Sequence, residues 1–147
     1  MGPTIEHLDV TTDADAVFGA LDRDGAVVIE GLLTLDVVWR VNEEVEAAVD
    51  AADPEAALFN PIMQEFHGQY TKQVAGMPGI SPTFATEVMC HPLLLEICDR
   101  VLLPSCARYQ LNLGHLLQRG PGSEEQWLHR DEAVWSDVPR PHPELQL

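Results

Sequence analysis

The chain of 147 residues contains no apolar stretch approaching the roughly 20 residues that a membrane-spanning helix needs, which argues against an integral membrane role. Its start, Met1-Gly2-Pro3-Thr4-Ile5-Glu6, lacks the basic head and apolar centre of a signal peptide, and Glu6 stands where the myristoylation pattern requires Ser or Thr. Cysteine is sparse. Cys90, Cys98 and Cys106 are odd in number and have no Cys-x-x-Cys spacing, which speaks against a disulfide framework or zinc knuckle and predicts buried thiols in a reducing cytoplasm. Positive charge is the other shortage: 8 basic residues face 24 acidic ones, for a net charge of −16. Such a surface repels phosphate backbones and anionic membranes, so nucleic acid and lipid surfaces are poor partners. The acids are concentrated before residue 60. Arg108, Arg119, Arg130 and Arg140 therefore either form a basic groove suited to an anionic substrate or are scattered over an acidic, solubilising exterior.

What is present describes a globular chain with room for one domain: 46% hydrophobic and 22% charged residues. Ala14, Val17, Phe18 and Leu21 form one apolar helical stripe, with Thr12 as cap and Gly25 in the left-handed closing position. Gly25-Ala26-Val27-Val28-Ile29-Glu30-Gly31 then reads as a short strand. Thr34 caps a longer helix, in which Val37, Val38, Val41, Val45, Ala48 and Val49 recur with helical period while Glu43, Glu44, Glu46 and Asp50 face water; Asp53-Pro54 ends it. Residues 55–80 lack a sustained period and read as an irregular connection holding His67 and Tyr70, either ordinary loop residues or substrate contacts. Ser81-Pro82 opens a helical segment reaching about Met89. His91-Pro92 opens another, with Leu94, Ile97, Cys98, Val101 and Leu102 as its stripe and Pro104 as its stop.

From Ala107 the pattern becomes alternating. Tyr109, Leu111, Leu113, His115 and Leu117 read as a packed face, in which His115 is a hydrogen-bonded core residue or a ligand. Arg108, Gln110, Asn112 and Gly114 read as a polar cavity wall or as a solvent-facing side. After the turn Arg119-Gly120-Pro121-Gly122-Ser123, the stretch Gln126-Trp127-Leu128-His129-Arg130-Asp131-Glu132 reads as a strand. There His129 and Asp131 share a face because strand side chains alternate. An imidazole beside a carboxylate is two thirds of the two-His-one-carboxylate triad that holds non-haem Fe(II) with open positions for co-substrate and oxygen. A solvated polar strand edge is the alternative. Val138-Pro139-Arg140-Pro141-His142-Pro143 follows, and Glu144-Leu145-Gln146-Leu147 begins another alternating pattern.

A short helix feeding Asp24-Gly25-Ala26-Val27-Val28-Ile29, the His91-Pro92-Leu93-Leu94-Leu95 helix, Gln110-Leu111-Asn112-Leu113, and His129-Arg130-Asp131 preceded by Gln126 together resemble the phytanoyl-CoA dioxygenase family. The resemblance runs along nearly the whole chain and covers the N-terminal half of the family's domain. It implies an α+β fold in which N-terminal helices (1–106) pack on part of a double-stranded β-helix, a jelly roll, whose first strands lie in 107–147. The family fold has about eight strands and does not close with those present here.

The resemblance further implies Fe(II) and 2-oxoglutarate as cofactor and co-substrate, with His129 and Asp131 as iron ligands and Gln126, or more weakly Asn112, against 2-oxoglutarate. Gln126 and His129 have opposite parity on an ideal strand, so Gln126 reaches the cavity only if the strand starts near Trp127 or carries a bulge. Family members that halogenate tend to lack the carboxylate, so Asp131 points to hydroxylation or a related oxidation of a small organic substrate. The family's second His and its 2-oxoglutarate Arg fall beyond residue 147, and Arg140 and His142 lie too close to Asp131 to replace them. The expectation is thus an oxygenase inactive by itself, or, in a different class, a non-catalytic acidic interaction domain derived from the family.

Overall fold

The structure is a computed structural model and describes residues 4–57, 61–123, 125–129, 131, 137, 143 and 145–147. Its first layer is a parallel pair, β1 (Glu6–Asp9) and β2 (Val27–Glu30), joined through α1 (Ala14–Asp24). The helix starts at Asp13, whose carboxylate accepts from the Ala16 N–H at 2.8 Å. It ends where Gly25, at φ 74°, returns its N–H to the Leu21 carbonyl, a left-handed closure that costs glycine no Cβ clash. Val17 and Ala20 are buried on the apolar stripe, and α1 packs against α5 (Pro92–Leu102), whose own buried residues are Ile97 and Cys98. As the His-Pro pair predicts, His91 caps α5: its Nδ1 accepts from the Leu93 N–H at 3.3 Å.

The second layer positions the site. Helix α2 (Leu35–Ala51), capped by Thr34, buries Val37, Val45 and Val49. Against it lies an antiparallel pair, β3 (Thr71–Ala75) and β4 (His115–Arg119), in the register Lys72↔Gln118, Gln73↔Leu117 and Val74↔Leu116. Directly opposed residues share a side of a sheet. Lys72, Val74, Leu116 and Gln118 therefore face α2, where Val74 and Leu116 join Val45, Val49 and Met77 in the core and the Lys72 ammonium donates to the Val49 carbonyl at 2.8 Å. Thr71, Gln73, Ala75, His115, Leu117 and Arg119 take the other side, toward α3 (Pro61–His67).

Between β3 and α5 the chain forms α4 (Met77–Ile80) and a π-helical turn at Phe84–Val88. The expected Ser81 cap is present, since Ser81 Oγ accepts from the Phe84 N–H at 2.9 Å. Glu44, expected to face water, instead reaches across from α2. Its carboxylate accepts from Ser81 Oγ, from Thr83 N–H at 3.0 Å and from Thr83 Oγ1 at 2.7 Å. A negative charge at the start of a helical segment satisfies its unpaired N–H groups.

Several sequence expectations need correction. The cap of α1 is Asp13 and not Thr12, because Asp13 occupies the position whose side chain meets the first free N–H groups. Residues 55–80 are not an irregular connection but hold a 3-10 turn at Pro54–Ala57, then α3, β3 and α4, elements too short to show a period. Cys90 and Cys106 are exposed, leaving Cys98 as the buried thiol. The strand expected from Ala107 begins only at His115. Its faces are also reversed: Leu111, Leu113, His115 and Leu117 are exposed while Leu116 joins the core. Among the described residues of 126–131 no strand forms; 126–129 carry no regular structure and Asp131 lies in a helical turn. Helices on two small sheets fit an α+β, partial domain of the expected kind.

Candidate metal centre

Without a strand, His129 and Asp131 still face one another, with the imidazole Nε2 3.3 Å from the carboxylate Oδ1. The remaining polar atom of each is held from outside. His129 Nδ1 lies 2.9 Å from the Trp127 carbonyl, a geometry in which the ring N–H donates and the lone pair is left on Nε2. Asp131 Oδ2 accepts from the Gln146 amide at 2.5 Å, leaving Oδ1 open. Two lone-pair atoms turned toward each other at this distance repel unless a cation or a proton lies between them. Neighbouring donors each about 2.1 Å from one divalent ion stand about 3 Å apart, so the pair fits adjacent positions on a metal such as Fe(II). Among the described residues no group of three or more His, Cys, Asp or Glu side chains assembles around a common point.

The pair is walled by aromatic rings. Phe66, near the end of α3, meets the His129 ring edge-on at 4.7 Å between centroids and the Trp127 ring at 5.3 Å, and Trp127 lies 5.4 Å from His129. Edge-to-face contacts of this kind stabilise one ring orientation and displace water. The next residue, His67, turns to the sheet: its Nδ1 is 2.7 Å from the Gln73 amide nitrogen. Burial, and secondarily the neighbouring His115, push the His67 imidazole below its ordinary range and keep it neutral. The site thus lies on the side of the β3–β4 pair opposite α2. The open cleft of about 270 Å³ between Pro54, Tyr70, Lys72, Gln118, Gly120 and Pro121 does not include either member of the pair.

The other expected site residues are less close. Gln126 is half-buried and Asn112 exposed, and neither makes a hydrogen bond to His129 or Asp131. Arg108 and Arg119 are exposed; Arg130, Arg140 and His142, and with them half of the expected four-arginine groove, lie outside the described residues. Three participants carried no signal in the sequence reading: Phe66, Gln146 and the Trp127 carbonyl. Gln146 is 15 residues from its partner, and a contact so distant leaves no local pattern.

A sequence profile described as phytanoyl-CoA dioxygenase matches residues 21–146. The chain belongs to the phytanoyl-CoA dioxygenase family. Individual proteins similar to the chain are named as dioxygenases. The chain is 31% identical over 130 residues to dioxygenase aneA of Aspergillus aculeatus, covering 83% of this chain and 41% of that protein. It is 31% identical over 135 residues to multifunctional dioxygenase prhA of Penicillium brasilianum, covering 90% and 43%. To dioxygenase FrzG of a Cladobotryum species it is 30% identical over 138 residues, covering 89% and 45%. The chain therefore spans less than half the length of these relatives. Among the described residues no helix is long and apolar enough to cross a membrane.

Proposed function

We propose that this chain carries two of the three protein ligands of a non-haem Fe(II)- and 2-oxoglutarate-dependent dioxygenase that hydroxylates, or otherwise oxidises, a small organic molecule. The observation that carries this is the His129–Asp131 pair, with its free atoms 3.3 Å apart and its other atoms occupied by the Trp127 carbonyl and Gln146. Outer partners of this kind fix the tautomer and direction of metal ligands. When bound, Fe(II) would bring 2-oxoglutarate and O2 together, one oxygen atom ending in the succinate formed as 2-oxoglutarate loses CO2 and the other in the hydroxylated substrate, so that O2 is the oxidant of both. The chain's own part is to orient and to exclude water: His129 presents Nε2, Asp131 presents Oδ1, and Phe66 with Trp127 closes one side. Gln126 is the residue we assign to 2-oxoglutarate, with Asn112 as a lesser alternative. The third ligand and the partner of the distal carboxylate belong to the part of the relatives' length that this chain does not span. On this reading the chain by itself binds iron weakly and does not turn over.

Anaerobic titration of Fe(II) into the chain, with and without 2-oxoglutarate, tests the assignment. One site per chain is expected, tightened by 2-oxoglutarate and lost in His129→Ala. Equal binding by wild type and variant removes the assignment. Succinate production by the isolated chain would refute the claim that it is inactive alone.

One observation favours a second reading, a non-catalytic interaction domain. Leu111, Leu113, Leu117, Trp127 and Leu128 are all exposed. Exposed large apolar side chains in this number, where they adjoin, are the surface that a contact with another chain would cover. Light scattering after size exclusion separates the two: a defined complex supports the second reading, and a monomer supports the first.

A further inference from the structure

The neutral His67 ring is not accounted for by any role given so far. Its Nδ1 faces the Gln73 amide nitrogen at 2.7 Å. An amide N–H donates, so Nδ1 is the acceptor and the ring proton resides on Nε2, which has no hydrogen-bond partner among the described residues. Gln73 is itself fixed in β3 opposite Leu117 of β4, and the backbone beneath His67 is tied down by Thr71 Oγ1, which donates to the His67 carbonyl at 2.7 Å. The donor is therefore rigidly placed. On one side of it is the Phe66 ring, 5.0 Å away between centroids, and beyond that ring lies His129 at 4.7 Å from Phe66. Exposed Leu117 stands opposite Gln73, the residue that holds the ring, on the same side of the β3–β4 pair. A fixed N–H beside an apolar surface, one phenyl ring from the proposed metal, has the form of a recognition point.

We propose that His67, locked by Gln73, donates its Nε2–H to a carbonyl or carboxylate oxygen of the substrate, whose apolar body then lies over Phe66 and Leu117 toward His129. The inference rests on the metal-site reading for its meaning, and its test is separate. Burial first, and the neighbouring His115 second, disfavour a charge on the His67 imidazole, which leaves the ring a neutral donor. Selection works by loss: an analogue without the oxygen leaves the half-buried Nε2–H unpaired, which penalises it relative to the correct substrate.

The full chain, labelled with 15N-histidine, reports the ring directly through two-bond 1H–15N spectra. His67 is expected in the Nε2–H tautomer. 1-Indanone, a flat apolar body with one carbonyl, should shift His67 and the Gln73 side-chain amide saturably, whereas indane, the same body without oxygen, should leave Nε2–H unmoved. His67→Phe should weaken 1-indanone binding about fivefold, the worth of one neutral hydrogen bond. His67→Gln keeps a donor and should retain binding, and Gln73→Leu should weaken it by freeing the ring. An Nδ1–H tautomer, equal binding of the two probes, unchanged affinity in His67→Phe, or no saturable binding each overturns the proposal. A parallel Co(II) titration separates the two readings: 1-indanone binding through His67 without metal binding at His129 upholds the donor and sinks the metal site, and the reverse result sinks the donor alone.

Discussion

At the scale of single residues, the function proposed here depends on how two side chains are aimed. Gln146 holds Asp131 from behind without touching the proposed ion, so Gln146→Leu should weaken Co(II) or Fe(II) binding roughly tenfold while leaving the fold intact. Calorimetric titration of the variant beside wild type measures this. A second residue-scale test concerns the Glu44 carboxylate, held below its ordinary value of 4.5 chiefly by the hydroxyls of Ser81 and Thr83. A carboxylate with a depressed folded value stabilises above its unfolded value, and that contribution disappears as pH falls through the folded one. Chemical denaturation between pH 6 and 3 should show stability falling from about pH 4.5 downward, with a shallower fall in Glu44→Gln. Ser81→Ala should cost about 2 kcal/mol, since it removes a cap and a donor from a fully buried position. The residues legible from sequence are those whose partners are neighbours: Thr34 and His91 as caps, Gly25 as a closing glycine, and His129 with Asp131. Phe66, Gln146 and Glu44 act across long separations, and a single sequence carries no pattern for such contacts.

At the scale of elements, the lesson is the phase of β4. Leu116 and Leu117 are adjacent and both apolar, so alternation around them has no unique phase. Pairing with β3 decides it, placing Leu116 with Val74 against α2 and Leu117 with Gln73 on the side of the site. Leu116→Ala should therefore cost about 2 kcal/mol, and Leu117→Ala less than about 0.5 kcal/mol. Urea unfolding of the two variants checks this, and equal losses would contradict the assigned faces. The β3–β4 pair also demands close approach at its end. A Cβ on Gly120 would meet the Tyr70 carbonyl oxygen at 3.0 Å, and the Gly120 N–H donates to that same oxygen at 2.9 Å. The long helices α1, α2 and α5 were readable because 11 to 17 residues give a period room to repeat. Elements α3, β3 and α4 run for four to seven residues and were not.

At the scale of the whole molecule, the described residues form two sheets of two strands each, whose outer edges have no further strand among the described residues, and several leucines and a tryptophan are exposed. A protein of net charge −16 stays dispersed partly through self-repulsion, so raising salt should both increase association and expose the apolar surface's consequences. Binding of a hydrophobic dye to the native chain, stronger than to typical globular domains, is the expected reading, and Leu111→Ser with Leu113→Ser should reduce it. The family was legible from the order of elements around His-Arg-Asp, and among the described residues the helices and two small sheets are compatible with part of its domain.

The central claim is that one divalent ion sits between His129 and Asp131. Proton NMR of the Co(II)-loaded chain tests it most directly, because the Nδ1–H held by the Trp127 carbonyl would be carried far outside the normal spectral range by a paramagnetic ion on Nε2. The account predicts one such exchangeable resonance per chain, absent in His129→Ala and in spectra recorded in D2O. A spectrum without that resonance, or one that keeps it after His129→Ala, would contradict the account.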